Sequence, residues 1–514
     1  MVLDYIILIL YALSMVGIAI YTKNRSKSVD DFLFAGKKGL NGWMSAFAYG
    51  TTYFSAVIFV GYAGKFGAQY GLASVWIGIA NAILGSLIAW MVLAKRTKNM
   101  TTRLDAKTMP EFFEKRYGSQ NLKLISAIVI FVFLIPYSAS VYNGLSSLFG
   151  IVFGIPGWVI MIALAALTAL YLFFGGYFAT ALSDFIQGII MLIGVVLMVF
   201  CFMNHENVSW NLSSLTSNPE LNWFTFESSN KGLYGNTASL ISLILLTSFG
   251  VWALPQTVHK YHSLRDKKGV MQGTIVSTLF ALIIGFGAYF VGALSGLFPL
   301  ELAGVKGDNI IPTMLNIAIP SGLVGIIAVL ILSASMSTLS SVSLASASVV
   351  AIDLYKGRIN KEASDKRVNM TMKILCLVFI LISVVLAIVN EKFGVTAIAY
   401  MMGISWGTLA GCFIGPFVLG LVWKRVTKSA TWTSIISSLV LTASLIVFFG
   451  FDKNDYSCTL GKAIADGIGC SPMIGVICMA FSMIITIIVS LCTRRPSDEI
   501  LFEAFERSIE NEIK

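Results

Sequence analysis

Ala334-Ser335-Met336-Ser337-Thr338-Leu339-Ser340-Ser341 lies inside a long apolar run, and its reading decides the fold. Six of its eight residues are small, and five of those carry hydroxyls. Residues three and four apart share a helix face, so Ala334, Ser337, Thr338 and Ser341 form one stripe, with Ser340 beside it. Two ordinary uses compete for such a stripe. Ser and Thr hydroxyls bond back to carbonyls of the preceding turn, and small residues let membrane helices pack closely. Five hydroxyls within seven positions exceed what packing needs. A hard cation such as sodium takes oxygen ligands, and the stripe offers them to the segment facing it.

The rest of the chain is built from similar runs. Of 514 residues, 57% are hydrophobic and 12% charged, about half the charged share of a soluble domain. Apolar segments of about 20 residues can each cross a bilayer. They recur near 3–22, 41–66, 72–94, 122–149, 156–174, 178–203, 237–258, 269–298, 311–353, 371–390, 394–423, 429–450 and 472–493. The expected fold class is an all-α polytopic membrane protein of about 13 transmembrane helices. It forms one domain over 1–514, with a short charged tail at 494–514 that needs no fold of its own. The first run lacks a basic leader and a small-residue cleavage site, which reads as a retained helix.

The net charge of +10 is a topology signal. Thirty of the 36 Lys and Arg fall in alternate loops and the tail. Five (Lys231, Lys306, Lys392, Lys453 and Lys462) fall on the opposite side, and Lys65 lies near a span end. The positive-inside rule then puts the N-terminus outside and the C-terminus in the cytoplasm of a plasma (inner) membrane. The lipid bilayer is the partner that this charge pattern implies; nucleic acid is not. An intramembrane enzyme fails on inventory. There is no HExxH motif, and the three histidines read as loop or span-end residues at the surface. Cys458 and Cys470 share an outer loop, where an oxidising environment would permit a disulfide.

Several spans carry helix-breaking features. Span 2 contains Gly50-Thr51-Thr52-Tyr53-Phe54-Ser55, whose small and hydroxyl residues weaken a helix. Local unwinding there would free carbonyls, tolerable in a membrane only where they line a cavity or bind something; a simple bend is the alternative. Pro136 predicts an interruption in span 4, and Pro255 breaks or kinks span 7. Spans 2 and 7 are five apart, and paired broken helices point to a transporter site between two repeats. The repeats would cover spans 2–6 (41–203) and 7–11 (237–423). Asp184 precedes an uninterrupted apolar run in span 6, and an ionisable residue within a membrane marks a functional site by default. The alternative is a carboxylate that caps a helix or pairs with a loop lysine.

These pieces together resemble the sodium/solute symporter family. The resemblance rests on Val29-Asp30-Asp31-Phe32-Leu33-Phe34-Ala35-Gly36, Pro110-Glu111-Phe112, Gly175-Gly176-Tyr177 with Ser183-Asp184 and Gln187, the Ala334–Ser340 stretch, and Gly415-Pro416 through Trp423-Lys424-Arg425. It covers spans 1–12 in order. It implies a LeuT-type 5+5 inverted repeat and sodium-coupled import of a small organic solute (amino acid, carboxylate, vitamin or sugar-like) by alternating access. Na+ would be the co-transported ion, held by backbone carbonyls of Thr51, Phe54 and Ala334 and the hydroxyls of Ser337 and Thr338. A second sodium site would use Asp184, Ser340 and Ser341. Phe54, Tyr137, Trp252 and Gln256 are the candidate solute-lining residues. Proline-type relatives carry an acid where this chain has Thr52-Tyr53-Phe54-Ser55, and Gln-Pro-His where it has Leu254-Pro255-Gln256. Sialic-acid relatives carry an arginine near the place of Pro136 and Tyr137. These departures argue against proline and sialic acid as cargo. The rival mechanisms are proton coupling through Asp184 and a solute sensor that does not transport.

Overall fold

The computed structural model describes residues 2–23, 25–34, 40, 42–219, 221–224, 236–394, 397–454 and 456–508. Ala35, Gly36 and Lys231, singled out above, lie outside the described residues. Among those described, ten helices are long and apolar enough to cross a membrane. The count is eleven when the bent pair Thr237–Ala253 and Pro255–His262 is one span. Two of these run to 62 residues (Gly42–Arg103) and 48 residues (Gly157–Asn204), far longer than the roughly 20 residues one crossing needs. Each contains a glycine at positive φ, Gly71 (φ 54) and Gly176 (φ 56), a conformation that side chains other than glycine rarely tolerate. Divided there, each is long enough for two crossings, which would bring eleven spans to thirteen.

Close backbone approach sets the packing around span 8. A Cβ on Gly67 would lie 2.2 Å from the Gly292 carbonyl carbon, and one on Gly78 2.4 Å from that of Gly285. Only glycine admits such contact, and in lipid it replaces hydrophobic drive as the source of helix association. Span 9 (Val324–Ser348, continuing as a π-helix to Ile359) is buried along nearly its whole length, which makes it the central post of the molecule. Its N-terminus is capped from span 1, where Asp4 Oδ1 accepts the N–H groups of Gly322 (3.0 Å) and Gly325 (2.8 Å).

Two expectations need correction. Pro136 does not interrupt span 4; Gln120–Phe153 is one helix. A proline there removes a donor and disturbs the carbonyls one turn earlier, and the hydroxyl of Ser405 donates to one of them, that of Phe133. The tail is folded as far as it is described. Asp498–Leu501 continues into a π-helical turn, Phe502–Glu506, and buries Leu501 and Ala504. Cys458 and Cys470 are free thiols. Thr108 caps the helix Met109–Tyr117 by accepting from Glu111 N–H, with Pro110 in its first turn. Ile310–Ala318 is a separate short helix, so span 9 begins at Val324 and not near residue 311.

Candidate functional site

Span 2 is broken where its sequence is weakest. Gly42–Tyr53 is helical, Phe54 and Ser55 are not, and a π-helix begins at Val57. Thr51 and Thr52 spend their hydroxyls on the carbonyls of Phe47 (2.8 Å) and Ala48 (2.6 Å), back-bonding that loosens a helix end. The last carbonyls of a helix have no partner within it and carry its negative partial charge. Here they point into the protein interior, since Thr51, Thr52, Tyr53 and Phe54 are all buried.

Span 9 lies against this break. Thr338 Oγ1 donates between its own helix, at Ala334 O (3.0 Å), and the Thr52 carbonyl across the gap (3.3 Å). The hydroxyls of Thr52 and Ser341 are 3.0 Å apart. Ser335 Oγ, which the stripe argument left aside, accepts the Ala56 N–H (3.2 Å) released by the break. Ser340 turns back to the Ser337 carbonyl (3.0 Å). Ser337 Oγ is buried beside the Asp184 side chain and has no hydrogen-bond partner. The structure thus brings span 2 and the span 9 stripe together, with Ser337 holding an unused oxygen.

Asp184 is fully buried, and its partner is Lys260, one of the basic residues that the charge pattern assigns to a loop. Lys260 Nζ lies 3.3 Å from Asp184 Oδ2 and 2.9 Å from Ser341 Oγ. The lysine side chain is 1% exposed and the aspartate 0%. His259 and His262, read as surface residues, are buried as well. The cause is Pro255. Proline is favoured at the first helical position, so it starts a new helix, Pro255–His262, bent 48° from the preceding segment. That helix carries Lys260 inward, and Leu40 closes over its end by donating to the Ser263 carbonyl (3.1 Å). A proline followed by about two turns of mixed polar and apolar residues was the available signal.

The four candidate solute residues separate into two groups. Tyr137 packs edge-on against Trp406 with ring centres 5.6 Å apart, and Tyr53 lies 6.2 Å from the same indole. The Tyr137 hydroxyl neighbours the side chains of Ser55, Thr338 and Trp406 and bonds to none of them. Gln256 Oε1 and Trp406 Nε1 are likewise buried without partners. Phe54 packs on Tyr53 at 4.7 Å and faces Phe280 at 6.4 Å. Trp252 stands apart, with its indole N–H committed to the Leu84 carbonyl of span 3 (3.0 Å). Trp406 was not singled out from the sequence, where it is one aromatic in a glycine-rich helix, Gly403-Ile404-Ser405-Trp406-Gly407.

The sodium:solute symporter family profile matches residues 32–438. The osmoregulated proline transporter OpuE of Bacillus subtilis is 28% identical over 497 residues, covering 95% of this chain and 94% of that protein. The sodium/pantothenate symporter of Escherichia coli is 28% identical over 456 residues, 86% of this chain and 91% of its own length. Among solved structures, a sodium-coupled sialic acid symporter in a substrate-bound outward-open state superposes with a TM-score of 0.78. It is 18% identical and covers 96% of this chain and 98% of that one.

Proposed function

The chain belongs to the sodium:solute symporter family, as an integral membrane transporter and not an enzyme, and from that premise we propose a site for its coupling ion and the nature of its cargo. Sodium binds between the broken end of span 2 and the stripe of span 9. Its ligands are the carbonyls of Thr51, Phe54 and Ala334 and the hydroxyls of Ser337 and Thr338. The observation that supports this most is Thr338 Oγ1, 3.3 Å from the Thr52 carbonyl across the two spans, beside the unpartnered Ser337 Oγ. A set of carbonyls and hydroxyls at a helix C-terminal end favours a small hard cation.

The cargo is a small organic solute held by neutral polar atoms and aromatic faces. Tyr137, Gln256 and Trp406 supply unpaired polar atoms, and Phe54 lies at the break itself. Trp252 serves in this reading as a residue of span 7 that packs against span 3. The Tyr137 hydroxyl, beside both Thr338 and Trp406, joins the ion side of the site to the solute side. Coupling needs no more than this shared conformation, because each ligand that favours it raises the affinity for the other. Residues 41–203 and 237–423 act as the two inverted repeats, with the N-terminus outside and the C-terminus in the cytoplasm of an inner membrane.

The test is thermal stabilisation of the purified protein by sodium, with potassium and choline as controls. Proline, pantothenate, sugars and short carboxylates are then added in turn. Ligands that bind the native state raise its apparent stability. A sodium-specific shift enlarged by one solute is expected. A shift that follows pH and ignores sodium would replace this reading with proton coupling. Sodium and solute binding without flux in proteoliposomes would make the protein a sensor.

A further inference from the structure

Asp184, Ser340 and Ser341 form the group where a second sodium would be sought, and the chain already supplies a cation there. Lys260 reaches Asp184 Oδ2 at 3.3 Å and Ser341 Oγ at 2.9 Å. The Tyr177 ring centre lies 5.1 Å from the same nitrogen, the favourable placement of a cation near an aromatic face. The ammonium therefore has a carboxylate, a hydroxyl and a ring around it, with almost no exposure to solvent. Ser340, the remaining member, bonds its own helix at the Ser337 carbonyl.

We propose that Lys260 is a tethered cation occupying the second ion position, so that the transporter carries one sodium per solute, and that removing its side-chain charge opens this position to a second sodium. The inference rests on the sodium site proposed above. A sodium ion added beside the ammonium would leave two positive charges sharing one carboxylate in a buried setting, where unpaired charge is expensive. Lys260 also stands one helical turn from Gln256, so the two side chains share a face of Pro255–His262. A chain of contacts then runs from the solute wall to the break in span 2. The ammonium of Lys260 holds Ser341 Oγ, which is 3.0 Å from Thr52 Oγ1, and the Thr52 carbonyl faces Thr338. Movement of the short helix is thereby transmitted to the sodium ligands without a second transported ion.

The experiment is equilibrium binding of 22Na+ to the purified full-length protein, together with the sodium dependence of its thermal stabilisation. The wild type is expected to bind one sodium with a hyperbolic dependence. Lys260→Met, which keeps the length and removes the charge, should bind two and give a sigmoidal dependence. In Lys260→Met/Asp184→Asn both charges are gone, and binding should return to one. Two sodium ions on the wild type, or one on a folded Lys260→Met, would overturn the proposal and reduce the ion pair to a structural strut. The wild-type count decides even if Lys260→Met fails to fold. Absence of sodium binding by the wild type would instead sink the sodium site itself.

Discussion

Ser337→Ala separates an ion ligand from a structural hydroxyl. Ser337 Oγ is buried and has no hydrogen-bond partner, and an unsatisfied buried polar group costs about 1–3 kcal/mol. Removing it should leave the sodium-free protein as stable as the wild type or somewhat more so. Its loss as a ligand to a full charge should cost about 1.5–3 kcal/mol of sodium affinity, taking contacts to charged groups as the guide. That corresponds to a roughly ten- to hundredfold rise in the sodium concentration for half-maximal stabilisation. Thr338→Ala should behave differently. Its hydroxyl lies 3.0 Å from the Ala334 carbonyl and 3.3 Å from that of Thr52, so truncation also removes about 0.5–1.5 kcal/mol of stability without sodium. Thr338→Ser, which keeps the oxygen, should restore most of both. The assay is thermal unfolding across a sodium titration at constant ionic strength, with choline as the replacement. If Ser337→Ala destabilises the sodium-free protein as much as Thr338→Ala and leaves the sodium dependence unchanged, the assignment of Ser337 as a ligand is refuted.

Three further perturbations probe other parts of the account. Tyr137→Phe keeps the ring against Trp406 and deletes a hydroxyl without a partner. The solute concentration for half-maximal transport should rise about tenfold, the equivalent of about 1.4 kcal/mol, while the unfolding temperature holds or increases; unchanged transport kinetics would remove Tyr137 from the site. Asp4→Ala deletes the cap that span 1 provides to span 9, and a loss of about 1–2 kcal/mol should appear as a lower unfolding temperature, whereas an unchanged one would show that Gly322 and Gly325 find other acceptors. Asp308 lies outside the spans, and burial raises its carboxyl above the ordinary value, against the opposing Ile398 N–H and Lys65. A carboxyl raised in the folded state contributes stability that is present below its unfolded pKa and is lost as pH rises through the folded one. The advantage of Asp308→Asn over the wild type should therefore grow with pH across the carboxylate range; an advantage that shrinks with rising pH would contradict the sign.

Much of the fold was legible because membrane spans are written as long apolar runs. The site was partly legible for a different reason. Gly50 through Ser55 and Ala334 through Ser341 are odd within such runs, and oddity in hydrocarbon requires a partner. Those two stretches face one another through Thr52, Thr338 and Ser341. Lys260 was missed because hydropathy ended span 7 at Val258, while in three dimensions Pro255 begins a new helix that keeps descending among the other spans. A lysine beside two histidines reads as solvated until its carboxylate partner is known, and Asp184 is 76 residues away. Trp406 was missed because nothing in one sequence separates an aromatic at a site from one in helix packing. Pro136 misled in the other direction, since whether a proline breaks a membrane helix depends on a neighbour such as Ser405 satisfying the backbone.

Solute-stimulated 22Na+ uptake tests coupling most directly. Proteoliposomes holding the purified protein would be given an inward sodium gradient and the solute that most enlarges the sodium-dependent thermal shift. The account predicts that this solute accelerates 22Na+ entry, that sodium in turn drives its accumulation above the external concentration, and that Ser337→Ala shifts both to higher sodium. Solute accumulation driven by a pH gradient, with 22Na+ entry indifferent to the solute, would contradict it.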